Sequence, residues 1–353
     1  MKKGVTFLLV VVVLIFAAHS FVRAAEVIKL KAANYLPVTH PMTLLSGWFC
    51  DEVKKRTNGR VEITYYPGGT LLTAPKMYDG IVTGISDMGL SHIQYTRGRF
   101  PVTEVFDLPL GFPSGWVSTQ VSNDFYDKYQ PSEWNDVKVL YLSPSGPCIL
   151  ETVNKPVRTL EDLKGLKIRA VGQMSDIIKL LGGAPIPLEM VDVYDSLRRG
   201  VIDGVTVDLS TLKPWKFGEV VKYVTADWQL GTVITFYWVM EKKKWNALSP
   251  DLQKIIAEVA FETRMKQGAL WSEMDIEARD LFKKGGGQVI NLTDAEAARW
   301  VKAVEPLTAS YKKTMAGKGF KEADVDGWIK YIKERMEYWK KEEKARKIPA
   351  PLD

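Results

Sequence analysis

The chain has 353 residues, 48 Lys and Arg against 42 Asp and Glu, a formal charge of +6, and a composition that is 46% hydrophobic and 25% charged. That describes a globular protein with room for two ordinary domains and excludes a disordered or fibrous chain. The charge excess is no argument for nucleic acid: Lys2, Lys3 and Arg23 sit in the first 24 residues, and without them 45 basic residues face 42 acidic ones. Those first residues read as a secretory signal. Lys2 and Lys3 precede an apolar run from Val5 to Ala18, and Val22-Arg23-Ala24 offers small residues for cleavage after Ala24. The alternative is an uncleaved anchor, for which the run is short, since a span needs roughly 20 apolar residues. An exported, periplasmic protein without a lipid-modified cysteine is expected.

After this segment, Ile28 to Asn34 (IKLKAAN) reads as a strand, and a loop leads to a helix from Pro41 to Arg56 with Leu45, Trp48, Phe49 and Val53 on one face. VEITYY alternates as a strand. A helix from about Ala74 to Thr83 follows, with Gly84 as its cap, then the strand ISDMGL. This β-α-β-α-β grammar with short connections belongs to a parallel sheet covered by helices. The second half repeats it. Thr159 to Asp162 is a capping box, LKIRAV a strand, MSDIIKLLGG a helix, PIPL a short strand, and VYDSLRRGVIDG a helix running into the strand VIDGVTV. Ser249-Pro250 opens a long helix that Gly285-Gly286-Gly287 stops near Lys284. QVINL is a strand, Thr293 to Glu296 another capping box, and two more helices close the chain.

One phrase occurs twice. MYDGIVTGISDMG at 77–89 aligns without gaps, 116 positions apart, with the stretch around VYDSLRRGVIDG at 193–204. Tyr194-Asp195 falls on Tyr78-Asp79, Gly200 on Gly84 and Asp203 on Asp87. The same helix-to-strand joint is expected in two α/β units, the alternative being chance plus shared capping chemistry.

Catalytic and metal chemistry leave few traces. There is no nucleophile elbow, no phosphate-binding loop, no CxxC or HxxxH spacing and no closely spaced carboxylate set, so no metal, cofactor or catalytic residue is assigned. Cys50 and Cys148 either pair in an oxidising compartment or stay as separate buried thiols. On residues alone, a binding protein, a secreted α/β enzyme such as a hydrolase, and a ligand sensor for a signalling receptor all stay open.

LPVTHP, TNGRVEITYYPGGTL, EDLKGLKIRA and PLEMVDVYDSLRRGVIDG together resemble the substrate-binding proteins of tripartite ATP-independent periplasmic (TRAP) transporters, over nearly the whole chain after the signal. The resemblance implies a two-lobed α/β periplasmic binding protein fold with a hinge of crossing strands and a long helix spanning both lobes. It places lobe 1 at 25–146 plus 235–274, lobe 2 at 147–234 plus 275–330, and a C-terminal helix and tail at 331–353. It implies an organic acid ligand delivered to TRAP membrane subunits, and a monomer is expected. In the family the arginine of the KIR motif pairs with the ligand carboxylate, and here that is Arg169. Its position near the carboxyl end of LKIRAV agrees, because ligands of parallel sheets sit beyond those ends. The alternative for Arg169 is a surface or domain-bracing ion pair. Sialic-acid members carry a second arginine where this chain has Ile149 and an asparagine where it has Val207, so a monocarboxylate with an apolar or aromatic body is expected. Tyr35, Trp215 and Phe236 are the aromatic candidates, each with core packing as its alternative. Asn34, His40, His92 and Gln94 are the polar ones from the first lobe, and His92 has the alternative of a satisfied loop residue.

Overall fold

The structure is a computed structural model and describes residues 27–351; the signal and cleavage position expected over 1–24 lie outside the described residues. Eleven strands are described: β1 (Ile28–Asn34), β2 (Val61–Tyr66), β3 (Met88–His92), β4 (Val137–Pro144), β5 (Cys148–Thr152), β6 (Lys167–Arg169), β7 (Ala184–Ile186), β8 (Gly204–Asp208), β9 (Tyr223–Ala226), β10 (Thr235–Glu241) and β11 (Gln288–Asn291). They form two sheets, in the orders β2-β1-β3-β10-β4 and β11-β9-β5-β8-β6-β7. Each sheet with its helices makes one lobe, the two-lobed α/β architecture expected from the sequence. In the first, β1 runs parallel to β2 and β3, and β10 runs against β3 and β4. In the second, β6 is parallel to β7 and β8, and β5 runs against β8.

The chain passes between the sheets after β4 and again before β10, and the two passages are hydrogen-bonded to each other. Ser145 N–H donates to the Ile234 carbonyl at 2.9 Å, and Cys148 N–H to the Thr232 carbonyl at 2.7 Å. These are the crossing strands of a hinge. A helix from Pro250 to Lys284, with the bounds its sequence pattern predicts, lies across both lobes. On the first lobe, Glu262 takes a two-pronged pair from Arg56 at 2.6 and 2.7 Å, and Trp271 Nε1 donates to Ser143 Oγ at 3.0 Å. One turn on from Trp271, Asp275 accepts Ser210 N–H of the second lobe at 2.9 Å.

The repeated phrase has a physical explanation in its aspartates. Asp87 N–H donates to the Lys31 carbonyl while its carboxylate accepts Lys31 N–H at 2.7 Å. Asp203 makes the same pair of bonds with Lys167. In both lobes, then, an aspartate entering a strand fastens it to the neighbouring parallel strand, β3 to β1 and β8 to β6. Gly84 and Gly200 make the preceding turn at φ 79° and 69°, where a side chain would be strained. Shared fastening chemistry, more than a shared core, carries the echo: Tyr78 is fully buried, whereas Tyr194 is half-exposed and bonds Glu219.

Several local expectations shift. The Thr159–Asp162 capping box is present in both halves. At Thr293 only one half forms, because the Glu296 carboxylate reaches the Leu160 N–H at 2.7 Å and the Trp300 indole at 3.1 Å instead of its own cap. Ser249 does not cap the long helix through its side chain; its hydroxyl donates to Asp251. The helix after Pro41 is capped by His40, whose Nδ1 accepts Met42 N–H at 3.1 Å. The first half of the expected Ala74–Thr83 helix is a 3-10 turn, and the LKIRAV strand shortens to Lys167–Arg169. The final helix spans Glu322–Ala345 and packs on the Gly115–Tyr129 helix, where Arg335 and the Trp339 indole both bond Asp124. Cys50 and Cys148 are separate buried thiols. Among the described residues no helix is long and apolar enough to cross a membrane.

The fastening predicts unequal costs. The Lys31–Asp87 bond is partly buried and the Lys167–Asp203 bond is exposed, so water replaces the lost partner more readily at the second joint. Asp87→Ala is expected to cost about 1–3 kcal/mol and Asp203→Ala about 1 kcal/mol in urea unfolding. Costs within about 0.5 kcal/mol of zero for both variants would show that the aspartates do not hold the strands.

Candidate ligand-binding site

The two sheets turn the same kind of edge towards each other. In the first lobe the carboxyl ends of β1 and β3 and the start of the antiparallel β10 converge, bringing Tyr35, His92 and Phe236 together; Phe236 lies opposite His92 in register. In the second lobe the carboxyl ends of β6 and β8 bring Arg169, Val207 and Asp208. Between them lies a cavity that these residues line together with Leu36, His40, Met190, Ser210, Thr211, Trp215, Ile234 and Trp271. It leaves about 20 Å³ for the centre of a water-sized sphere, room for roughly one water. The lobes are therefore closed, and a ring-bearing molecule enters only if they part.

Arg169 is 2% exposed. Its Nε donates to the Leu188 carbonyl at 3.0 Å and its Nη2 to the Tyr95 hydroxyl at 3.3 Å. The Tyr95 hydroxyl also accepts Met190 N–H at 3.0 Å, so a phenol from the first lobe clasps two groups of the second. No carboxylate pairs with Arg169 among the described residues. Burying a guanidinium without a counter-charge is costly. An anion placed here would form the charge-assisted, two-pronged bond that arginine geometry favours.

Around it stands an aromatic wall. His92 lies tilted against Tyr95 with ring centroids 4.1 Å apart and meets Phe236 edge-on at 5.2 Å, and Phe236 contacts Trp271 at 5.4 Å. Burial, then the Arg169 charge, pushes the His92 pKa well below its ordinary value, so this ring is neutral. Burial pushes His40 down to about 3. Because His40 Nδ1 accepts a backbone hydrogen bond, the proton of the neutral ring resides on Nε2, which makes His40 a donor.

Seven of the ten sequence candidates line the cavity: Tyr35, His40, His92, Arg169, Val207, Trp215 and Phe236. Three do not. The Asn34 amide turns back to Tyr65, Thr43 and Leu36 N–H and holds its own loop. Gln94 bonds Asp107 and the Val233 carbonyl. Ile149 is fully buried and sits beside Val207 in register, supporting the cavity wall without lining it. Tyr95, Asp208, Ser210 and Trp271 were not among the candidates. Asp208 had a signal, being the last residue of the strand that carries Val207. Tyr95 had none, because its bond to Arg169 joins the two lobes.

The family model for bacterial extracellular solute-binding protein, family 7 (DctP) matches residues 32–314. The chain belongs to this family. A TRAP periplasmic solute-binding protein from Desulfovibrio salexigens is 32% identical, with a TM-score of 0.77 over 88% of this chain and 95% of that one. A marine metagenome TRAP solute-binding protein specific for aromatic acid ligands, solved with metahydroxyphenylacetate, is 25% identical, with a TM-score of 0.81 over 88% and 99%. The 2,3-diketo-L-gulonate-binding periplasmic protein of Escherichia coli is 29% identical over 253 residues, 70% of this chain and 76% of that one. Family 7 proteins are solute-binding proteins of TRAP transport, and two of these relatives are described as binding organic acids of differing kinds, an aromatic acid and 2,3-diketo-L-gulonate.

The buried cap of this family 7 protein predicts a pH effect. Unfolded, His40 takes a proton near its ordinary 6.5; folded, it stays neutral down to about 3. Acid therefore favours the unfolded chain, and stability falls as pH drops from 6.5 towards 3. His40→Asn keeps a capping oxygen without the titration. Between pH 7 and pH 5 the parent should lose about 2 kcal/mol more stability than the variant. Equal losses in urea unfolding would contradict the neutral, capping histidine.

Proposed function

We propose that this chain is a periplasmic carrier that closes on a monocarboxylate with an apolar or aromatic body and delivers it to TRAP membrane subunits. Arg169 binds the ligand carboxylate. Tyr35, Trp215 and Phe236 enclose the body, with Val207 beside them and Ile149 behind. The observation that carries the reading is the buried guanidinium: it faces an aromatic cavity between two hinged lobes, and no carboxylate pairs with it among the described residues. A sugar acid would leave hydroxyls unpaired against Val207 and the rings, at roughly 1–3 kcal/mol for each lost partner. The neighbour solved with metahydroxyphenylacetate supports an aromatic acid as ligand. The protein acts as a monomer, exported with cleavage after Ala24, and returns its ligand unchanged.

A thermal-shift screen of carboxylates followed by calorimetry tests this. Aromatic and branched-chain acids should bind more tightly than sialic acid and other sugar acids, and mass spectrometry should recover the ligand intact. Arg169→Ala should remain folded and lose about 2–5 kcal/mol of binding, roughly 30-fold to several thousand-fold in Kd. Arg169→Lys should recover only part of this, since an ammonium cannot reproduce the planar fork. A folded Arg169→Ala variant that binds within about threefold of the parent would defeat the assignment.

A further inference from the structure

The cavity holds a negative group as well as a positive one. Asp208 closes β8, lines the cavity and is 3% exposed. Its carboxylate accepts the Ser210 hydroxyl and lies against the backbone N–H groups of Asp208 and Ser210; no cation pairs with it among the described residues. An ionised carboxylate has about four acceptor positions, more than these neighbours fill. The Tyr35 hydroxyl is within electrostatic reach of both Arg169 and Asp208, which places the two opposite charges on one small cavity. The imidazoles that line it, His40 and His92, are neutral and do not cancel the negative group.

We propose that Asp208 sets ligand specificity: it accepts a hydrogen bond from a hydroxyl or ammonium group on the ligand and rejects a second carboxylate. This rests on the reading of Arg169 as the carboxylate anchor. The site then selects acids that carry a donor, hydroxy acids or amino acids, over bare monocarboxylates, and bare monocarboxylates over dicarboxylates. The physical reason is the low dielectric of the closed cavity. A donor there satisfies a buried charge, whereas a second anion meets a like charge with no water between them. Burial pushes the Asp208 pKa up to about 6, and the buried Asp275 carboxylate, raised by burial and by Asp208, titrates beside it, which sets the working pH at 8, above that value.

Calorimetry at pH 8 on ring acids sharing one carboxylate provides the test. The probes are benzoate, its 2-, 3- and 4-hydroxy derivatives, 3-(aminomethyl)benzoate, and the three benzenedicarboxylates. With the parent protein, at least one hydroxyl position or the ammonium should bind tenfold or more tighter than benzoate, and whichever does so identifies the donor. All three dicarboxylates should bind at least tenfold more weakly than benzoate. Asp208→Asn keeps the shape and an oxygen for Ser210, removes the charge, and turns the other acceptor into an N–H donor. In this variant the preference for the donor-bearing acid should fall to within threefold of benzoate, and the dicarboxylates should gain at least tenfold. A purely structural role for Asp208 would weaken all probes alike and leave these ratios unchanged. Unchanged ratios, or a dicarboxylate that binds the parent as tightly as benzoate, overturn the proposal. If the variant does not fold, the ranking with the parent decides alone. Loss of benzoate binding in Arg169→Ala with unchanged ratios in Asp208→Asn would defeat this inference and leave the carboxylate anchor standing. If none of the probes binds, this inference fails, and the anchor is then judged on the branched-chain acids of the wider screen.

Discussion

A guanidinium buried to 2% exposure, whose partners among the described residues are a carbonyl and a phenol, is the constraint around which this molecule is arranged. Such a charge survives in an interior only where something repays its lost hydration. The Leu188 carbonyl and the Tyr95 hydroxyl repay part, and they come from different lobes. Arg169 is therefore best satisfied when the lobes are together, and an anion between them adds a counter-charge bonded directly to the guanidinium. In such a design ligand binding and closure are one equilibrium: the ligand shifts it by its differential affinity for the closed form.

The frame that places this charge is built from repeated local devices. In each lobe an aspartate fastens one parallel strand to its neighbour, which fixes where the carboxyl ends of the strands point. The two passages between the sheets are hydrogen-bonded into one strip, so the lobes are joined along a common line. The long helix then ties both lobes to itself one turn apart, through Trp271 on Ser143 and Asp275 on Ser210. Both of these anchors sit beside the cavity: Trp271 and Ser210 line its wall. Brace and site thus share residues: the long helix that spans both lobes also supplies part of the cavity wall.

How much of this was legible in the sequence depends on the range of the interaction concerned. β1 and the 35-residue helix have the bounds their patterns predict, because strand alternation, a proline at the first helical turn and a glycine stop are local signals. Arg169 was legible through the KGLKIR context around it. Asn34 and Gln94 were misplaced as cavity residues because a polar residue at a strand end looks the same whether it faces a ligand or closes its own loop. Asn34 does the latter, holding Leu36 N–H and Tyr65. The role of His40 as a helix cap was hidden because the usual capping residues are Ser, Thr, Asp and Asn. Tyr95 and Trp271 enter the clasp and the cavity wall through contacts between segments 74 and 128 positions apart, and no sequence window spans such a distance.

The central claim is that a ligand carboxylate sits on Arg169 with its body among the rings of the cleft. Diffraction from crystals grown with 4-bromobenzoate, recorded at the bromine absorption edge, locates both ends of one molecule. The account predicts a carboxylate paired with the Arg169 guanidinium and a bromine peak within the cavity bounded by Tyr35, Trp215 and Phe236. A closed cleft with the bromine peak elsewhere, and Arg169 still bonded only to Leu188 and Tyr95, would contradict it.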